Sequence, residues 1–192
     1  MVATRVVVIG AGSGGVAAMR RILSALPPDF EAAMVVLIHS APEEPDPLPQ
    51  LVQREGRFRV RSAVDGTVLE PGNVYLVPRG CHAQIRDTGV LEVTGPKRLR
   101  TARPAVDLLF KSAAAAYGSL SIALVLTGHG DDGTDGMRAI GAARGLSLVQ
   151  SLADSECPGM PGSALIGDHP SQCLLIQEIA PALVLAISRV PR

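Results

Sequence analysis

The sequence predicts a single doubly wound α/β domain: a mostly parallel sheet flanked by helices, with antiparallel strands or a hairpin in the middle of the chain. Three observations lead there. Apolar runs of strand length alternate with segments whose apolar residues recur at helical spacing. Apolar residues make up 47% of the 192 positions while aromatics make up 3%, so the core must be built from Val, Leu, Ile and Ala, which suits a sheet buried on both faces. The opening stretch RVVVIGAGSGGVAAM runs from a buried strand through a glycine-rich turn into a helix start, the βα unit of such a sheet.

Taken in order, Arg5 to Ile9 reads as the first strand. Val16, Met19, Ile22, Leu23 and Leu26 give the first helix, stopped by Pro27-Pro28. Ala33 to Ile38 is a second buried strand that ends at His39. The proline- and acid-rich stretch Ser40 to Pro47 is a loop, Leu48 to Arg54 a short helix and Phe58 to Ala63 a strand. Thr67 to Leu69, Asn73 to Val77, Ala83 to Arg86 and Val90 to Thr94 are short strand-like runs expected to form antiparallel strands or ribbons attached to the main sheet, with Asp87-Thr88-Gly89 as a hairpin turn. Lys97 to Arg103 carries basic residues in an expected surface loop. Pro104 to Tyr117 is a helix with Val106, Leu109, Phe110 and Ala113 inward, and Leu120 to Leu126 a central strand that enters a second glycine-rich loop, TGHGDDGTDG. A helix from about Gly136 to Ala143, a strand at Leu146 to Gln150, a short helix at Pro161 to Ile166, a short strand at Cys173 to Ile176 and a helix at Ala180 to Ser188 complete the chain. One domain over residues 1–192 is expected, with no internal repeat.

Bulk chemistry narrows the function. Lys and Arg total 18, and so do Asp and Glu, so the formal charge is zero. Neither a basic patch for nucleic acid nor aromatics for base stacking are supplied, and no nucleic-acid partner is expected. Cys81, Cys157 and Cys173 are widely spaced and fit neither a disulfide framework nor a zinc site; they read as reduced thiols of a cytoplasmic protein. The longest apolar runs are far shorter than a membrane span, so no membrane insertion is expected.

In an open parallel sheet, ligands and reacting groups gather at the carboxyl ends of the strands. Three chemical groups fall there: the hydroxyl of Ser13 after the first strand, the imidazole of His39 after the second, and the carboxylates of Asp131 and Asp132 after the central strand. These are the parts of a Ser-His-Asp triad: a nucleophile, a base to take its proton, and a carboxylate to fix the base's tautomer. Glycines around the hydroxyl let backbone N–H groups approach an oxyanion. Each group also has an ordinary structural use. A strand-end His is commonly a satisfied polar residue, and Asp131, Asp132 and Asp135 are well placed to cap the following helix. A metal is not expected, because the loop misses the calcium-loop pattern and the other histidines follow no ligand spacing; His82 and His169 read as surface or loop residues. The rival reading is a dinucleotide-binding Rossmann domain, since Gly10, Gly12 and Gly15 match G-x-G-x-x-G. That fingerprint wants an acid at the end of the second strand, where this chain has His39.

Taken together, IGAGSGG (Ile9 to Gly15), His39, DGTVLEPGNVYLVPRGCH (Asp65 to His82), RPAVDLLFKSAA (Arg103 to Ala114), LTGHGDDGTDGM (Leu126 to Met137) and GMPGSA (Gly159 to Ala164) carry a resemblance. Over almost its whole length the chain resembles the catalytic domain of the CheB chemotaxis methylesterase family. The resemblance implies an α/β hydrolase of glutamate methyl esters on the cytoplasmic helices of chemoreceptors, releasing methanol with a Ser-His-Asp triad and no cofactor or metal. It implies His39 as the catalytic base and Asp132 as its orienting acid, with Asp131 outside the triad. It implies Gly14, Gly15 and His129 around the oxyanion, His129 standing where the family usually has Met. The family pattern I-G-A-S-x-G-G puts the nucleophile at its fourth place, and here that place is Gly12, with Ser13 one residue later. Adjacent residues on such a turn point differently, so Ser13 does not simply inherit the role. The family's amino-terminal receiver domain is not expected in this chain, leaving separate chemosensory proteins as candidate partners. Two readings stay open beside the dinucleotide one: an esterase using Ser13, and a binding module without catalysis.

Overall fold

The structure is a computed structural model, and it describes residues 2–40, 46–53, 58–87, 89–95, 105–168 and 170–188. The expected loops at residues 41–45 and 97–103, and His169, lie outside the described residues. Nine strands and six helices follow one another among the described residues: β1 (Val6–Ala11), α1 (Gly15–Ala25), β2 (Ala33–Ile38), α2 (Leu48–Gln53), β3 (Arg59–Ser62), β4 (Asn73–Leu76), β5 (His82–Ile85), β6 (Leu91–Thr94), α3 (Ala105–Tyr117), β7 (Ser121–Val125), α4 (Thr134–Ala142), β8 (Leu146–Gln150), α5 (Gly159–Asp168), β9 (Gln172–Leu174) and α6 (Ile176–Ser188).

Seven of the strands form one sheet in the order β3-β4-β2-β1-β7-β8-β9, and every pairing in it is parallel. From β1 the chain proceeds outward to β2 on one side and returns to β7 on the other, so the order reverses between β1 and β7. That is where an open α/β sheet leaves a crevice at its carboxyl edge. Burial explains why the central strands carry no polar face. β1, β2 and β7 are buried at every position. Their alternate side chains feed two cores. Val6, Val8, Val35, Ala123 and Val125 pack under α3, α4 and α5, while Val7, Ile9, Val36, Ile122 and Leu124 pack under α1, α2 and α6.

Several elements depart from the sequence expectation. Thr67 to Leu69 forms no strand, only an isolated antiparallel bridge from Val68 to Val90. Asn73–Leu76 does not join an antiparallel ribbon; it inserts between β3 and β2 as a parallel strand, fully buried. A ribbon does form, from β5 and β6, but as a separate two-stranded sheet. It attaches to α3 through the Ile85 N–H, which donates to Ser112 Oγ at 2.9 Å. The last helix starts at Ile176, ahead of the predicted Ala180, although Pro181 lies inside it. Its start is closed by Glu178, whose carboxylate accepts the Leu175 N–H at 2.8 Å while the Glu178 N–H donates to Leu175 O at 2.8 Å. Pro181 falls in the second turn, where its missing N–H leaves the helix one backbone hydrogen bond short, to the Gln177 carbonyl.

α3 and α4 cross at the carboxyl edge of the sheet with Phe110 between them. It is fully buried and lies against Gly136, where an added Cβ would meet Phe110 Cβ at 2.5 Å, while at Gly133 Val106 blocks a side chain at 2.9 Å. Phe110→Ala is expected to cost about 3–5 kcal/mol of unfolding free energy, read as a shift of the urea midpoint.

Candidate active site

The site is built from the ends of β1, β2 and β7. β1 delivers the Gly12–Gly15 turn, β2 delivers His39, and β7 opens into the loop that carries Thr127, His129 and Asp132. The His39 N–H donates to Ala11 O at 2.8 Å, which continues the β1–β2 ladder one step beyond the strands and fixes the imidazole's root. His39 Nε2 lies 2.7 Å from Asp132 Oδ2, with 32% of the His39 side chain exposed against 7% for Asp132. A carboxylate in that position holds the proton on Nε2, which leaves Nδ1 as the acceptor nitrogen of the neutral ring.

Asp132 does more than face His39. Its Oδ2 also accepts the N–H groups of Ala105 and Val106, each at 3.0 Å, and its Oδ1 accepts the Asp107 N–H at 3.0 Å. The carboxylate therefore caps α3, a helix distant in sequence, rather than the helix that follows it. Asp107 returns the arrangement: its Oδ1 accepts the N–H groups of Gly133 and Gly136 at 3.0 and 2.7 Å, at the start of α4. Burial pushes the Asp132 carboxyl up, but the His39 hydrogen bond, the Val106 and Asp107 N–H groups and the His39 charge together hold it below its ordinary value. Asp107 goes the other way, raised chiefly by burial and partly relieved by the Gly136 N–H.

The nucleophile side is different. Gly12, the fourth residue of IGAGSGG and the first of the turn, donates its N–H to Thr127 O at 2.8 Å. A Cβ at Gly12 would lie 3.0 Å from Gly128 Cα and 3.5 Å from the His129 backbone nitrogen. The two glycine turns thus meet backbone to backbone. Ser13 is exposed, and among the described residues its hydroxyl makes no hydrogen bond, to His39 or to any other group. Its carbonyl is held instead, accepting from Thr127 Oγ1 at 3.0 Å. Of the residues expected around an oxyanion, Gly15 spends its N–H on Gly12 O at 2.9 Å. Gly14 sits at φ 80°, a left-handed conformation natural to glycine, and begins α1. His129 and Asp131 point to solvent as exposed side chains.

The family model described as CheB methylesterase matches residues 7–183. The chain belongs to the CheB methylesterase family. A protein-glutamate methylesterase/protein-glutamine glutaminase of Myxococcus xanthus (strain DK1622) is 36% identical over 181 residues, covering 94% of this chain and 51% of the relative. Its counterpart from Moorella thermoacetica is 34% identical over 187 residues, covering 95% and 44%. The chain thus spans about half the length of the curated relatives it matches. The crystal structure of the Thermotoga maritima CheB methylesterase catalytic domain superposes with a TM-score of 0.86 at 29% identity, covering 94% of this chain and 97% of that one. The dinucleotide reading falls with this assignment. The turn itself argues against it, because the Glu156 carboxylate lies against Gly14, where a pyrophosphate would need positive potential.

Several neighbours of this CheB-type site were not singled out from sequence. Asp107 is the acid in the first turn of α3, and that position is its signal. His82 is corrected from a surface residue: it opens β5, half-buried, and its pKa is lowered by burial and by His39 against an opposing pull from Asp132. Thr127 and Gln150 are buried braces: Gln150 Oε1 accepts the Thr127 N–H at 3.0 Å, and Thr127 Oγ1 accepts the Cys157 N–H at 2.8 Å. Removing the Asp132 carboxylate as Asp132→Ala is expected to cost at least about 2 kcal/mol at neutral pH, since three N–H groups lose their acceptor. Because the folded carboxyl titrates below its ordinary value, its stabilisation is full above that value and is lost as pH falls through the folded one. Chemical denaturation at pH 7 and near pH 2 should therefore show the gap between wild type and Asp132→Ala narrowing at acid pH.

Proposed function

We propose that this domain engages glutamate methyl esters on the cytoplasmic helices of chemoreceptors, and that it is a protein-glutamate methylesterase impaired at its nucleophile. The observation that carries this reading is the assembled His39–Asp132 pair beside a turn whose first residue is Gly12. In the intact reaction a serine hydroxyl attacks the ester carbonyl while His39 Nδ1 takes its proton; the ester C–O bond breaks as that proton passes to the departing methoxide, and a water activated by the same base cleaves the acyl-serine to glutamate, with Asp132 steadying the imidazolium. The His129 N–H, near the position of a side chain at residue 12, is a suitable donor to the carbonyl oxygen as charge develops on it. With glycine at residue 12 the base has no hydroxyl to deprotonate. What remains is slow attack by a water that His39 activates, together with binding of the substrate. A groove of about 610 Å³ lined by Asp132, Thr134, Arg138 and the exposed Ile166, though not by His39 or Gly12, lies beside the pair and offers a bed for chain that flanks the ester.

The relatives' names include glutaminase, and an amide is open to the same base-assisted chemistry; the pair at His39 favours neither leaving group. A purely non-catalytic role is supported by one further observation, the unpartnered Ser13 hydroxyl. Measured on a glutamyl-methylated receptor fragment, methanol release by the wild type should be near background, and Gly12→Ser should raise it by about a hundredfold or more. Residue 12 has no left-handed φ, so serine is compatible with its backbone once Gly128 yields slightly. His39→Ala in the Gly12→Ser background should remove the gain. A substantial wild-type rate that disappears in Ser13→Ala would overturn the reading.

A further inference from the structure

The segment after β8 brings an acid onto the glycine turn. Gly128 N–H donates to Cys157 O at 2.8 Å and Cys157 N–H donates to Thr127 Oγ1 at 2.8 Å, so residues on either side of Cys157 are strapped to the loop that follows β7. The strap carries Glu156 with it. A Cβ built on Gly14 would lie 2.8 Å from Glu156 Oε2 and 3.0 Å from Glu156 Cβ, so the carboxylate folds back over the Gly14 backbone. Among the described residues it makes no hydrogen bond and no ion pair. An exposed carboxylate without a protein partner thus borders the turn beside which the proposed mechanism places the ester. From that place it acts on the charge of whatever occupies the turn.

We propose that Glu156 is a specificity-determining residue that filters by charge: the domain retains a neutral glutamyl methyl ester or glutamine side chain and repels the free glutamate carboxylate. Combined with a weak hydrolytic step, this makes the domain a reader of the esterified state, able to hold the ester longer than it converts it. The inference rests on the reading given under Proposed function.

The test is binding of three synthetic helical peptides of one receptor-type sequence, carrying glutamate methyl ester, glutamine or glutamate at a single position. Each is titrated into the full chain by fluorescence anisotropy. Wild type should bind the ester and glutamine peptides about three- to tenfold more tightly than the glutamate peptide at low salt, and the ratio should shrink in high salt. In Glu156→Gln the ratio should fall below about twofold, chiefly through tighter binding of the glutamate peptide. Glu156→Ala should behave alike, which separates charge from packing. Equal wild-type affinities, or a ratio that survives both substitutions, would overturn the charge filter while leaving the receptor-helix reading standing. Failure of every peptide to bind would overturn that reading and the filter with it.

Discussion

Two helix starts exchange carboxylates at the edge of this sheet, and the site depends on that exchange. Asp132, at the beginning of the α4 turn, satisfies three N–H groups of α3, and Asp107, in the first turn of α3, satisfies two at the start of α4. Each acid sits in the positive end of the other helix, where a negative charge is favoured. The pairing fixes how the helices cross and leaves Asp132 Oδ2 with one free direction, toward His39. The geometry of the acid–base pair is therefore a by-product of capping. A side chain already held by three N–H groups has little freedom left to lose when it orients an imidazole.

A second set of bonds holds the opposite wall. Gln150, at the end of β8, braces the Thr127 N–H and passes its own amide to Asp154, whose other oxygen accepts the Ile176 N–H at the start of α6. Thr127 Oγ1 then ties the Ser13 carbonyl to the Cys157 amide. Strand ends from β1, β7 and β8 are thus linked through buried polar side chains, and Gly12 and Gly128 approach backbone to backbone within that assembly. Ser13 contributes its carbonyl to this frame, which fixes the turn and turns the hydroxyl outward to solvent.

Much of this was legible in the sequence, for identifiable reasons. The central strands could be read because a parallel sheet buried on both faces writes continuous apolar runs. His39 and the Asp131-Asp132 loop could be placed at the carboxyl edge because strand ends were marked by the loss of those runs. Asp132 was separable from Asp131 only by resemblance, and the structure gives the physical distinction: one is buried among N–H donors and the other is exposed. The role of Asp107 was not legible, since pairing of two helix starts is a long-range fact that no local pattern encodes. Nor was the parallel placement of Asn73–Leu76, because a four-residue strand carries too few alternations to reveal its partners. His82 escaped for the same reason, its proximity to the site being set by how the β5–β6 ribbon lies rather than by any neighbour in sequence.

The double duty of Asp132 has a bearing on how such a site decays. An acid that caps a helix is retained by the need to fold, whether or not any ester is ever cleaved. A nucleophile on a glycine turn closes no helix and fills no core, so its loss costs nothing but the reaction. A substitution at residue 12 leaves the α3 cap untouched, whereas one at residue 132 removes it, so a paired His39 and Asp132 is compatible with a fold that turns over no ester.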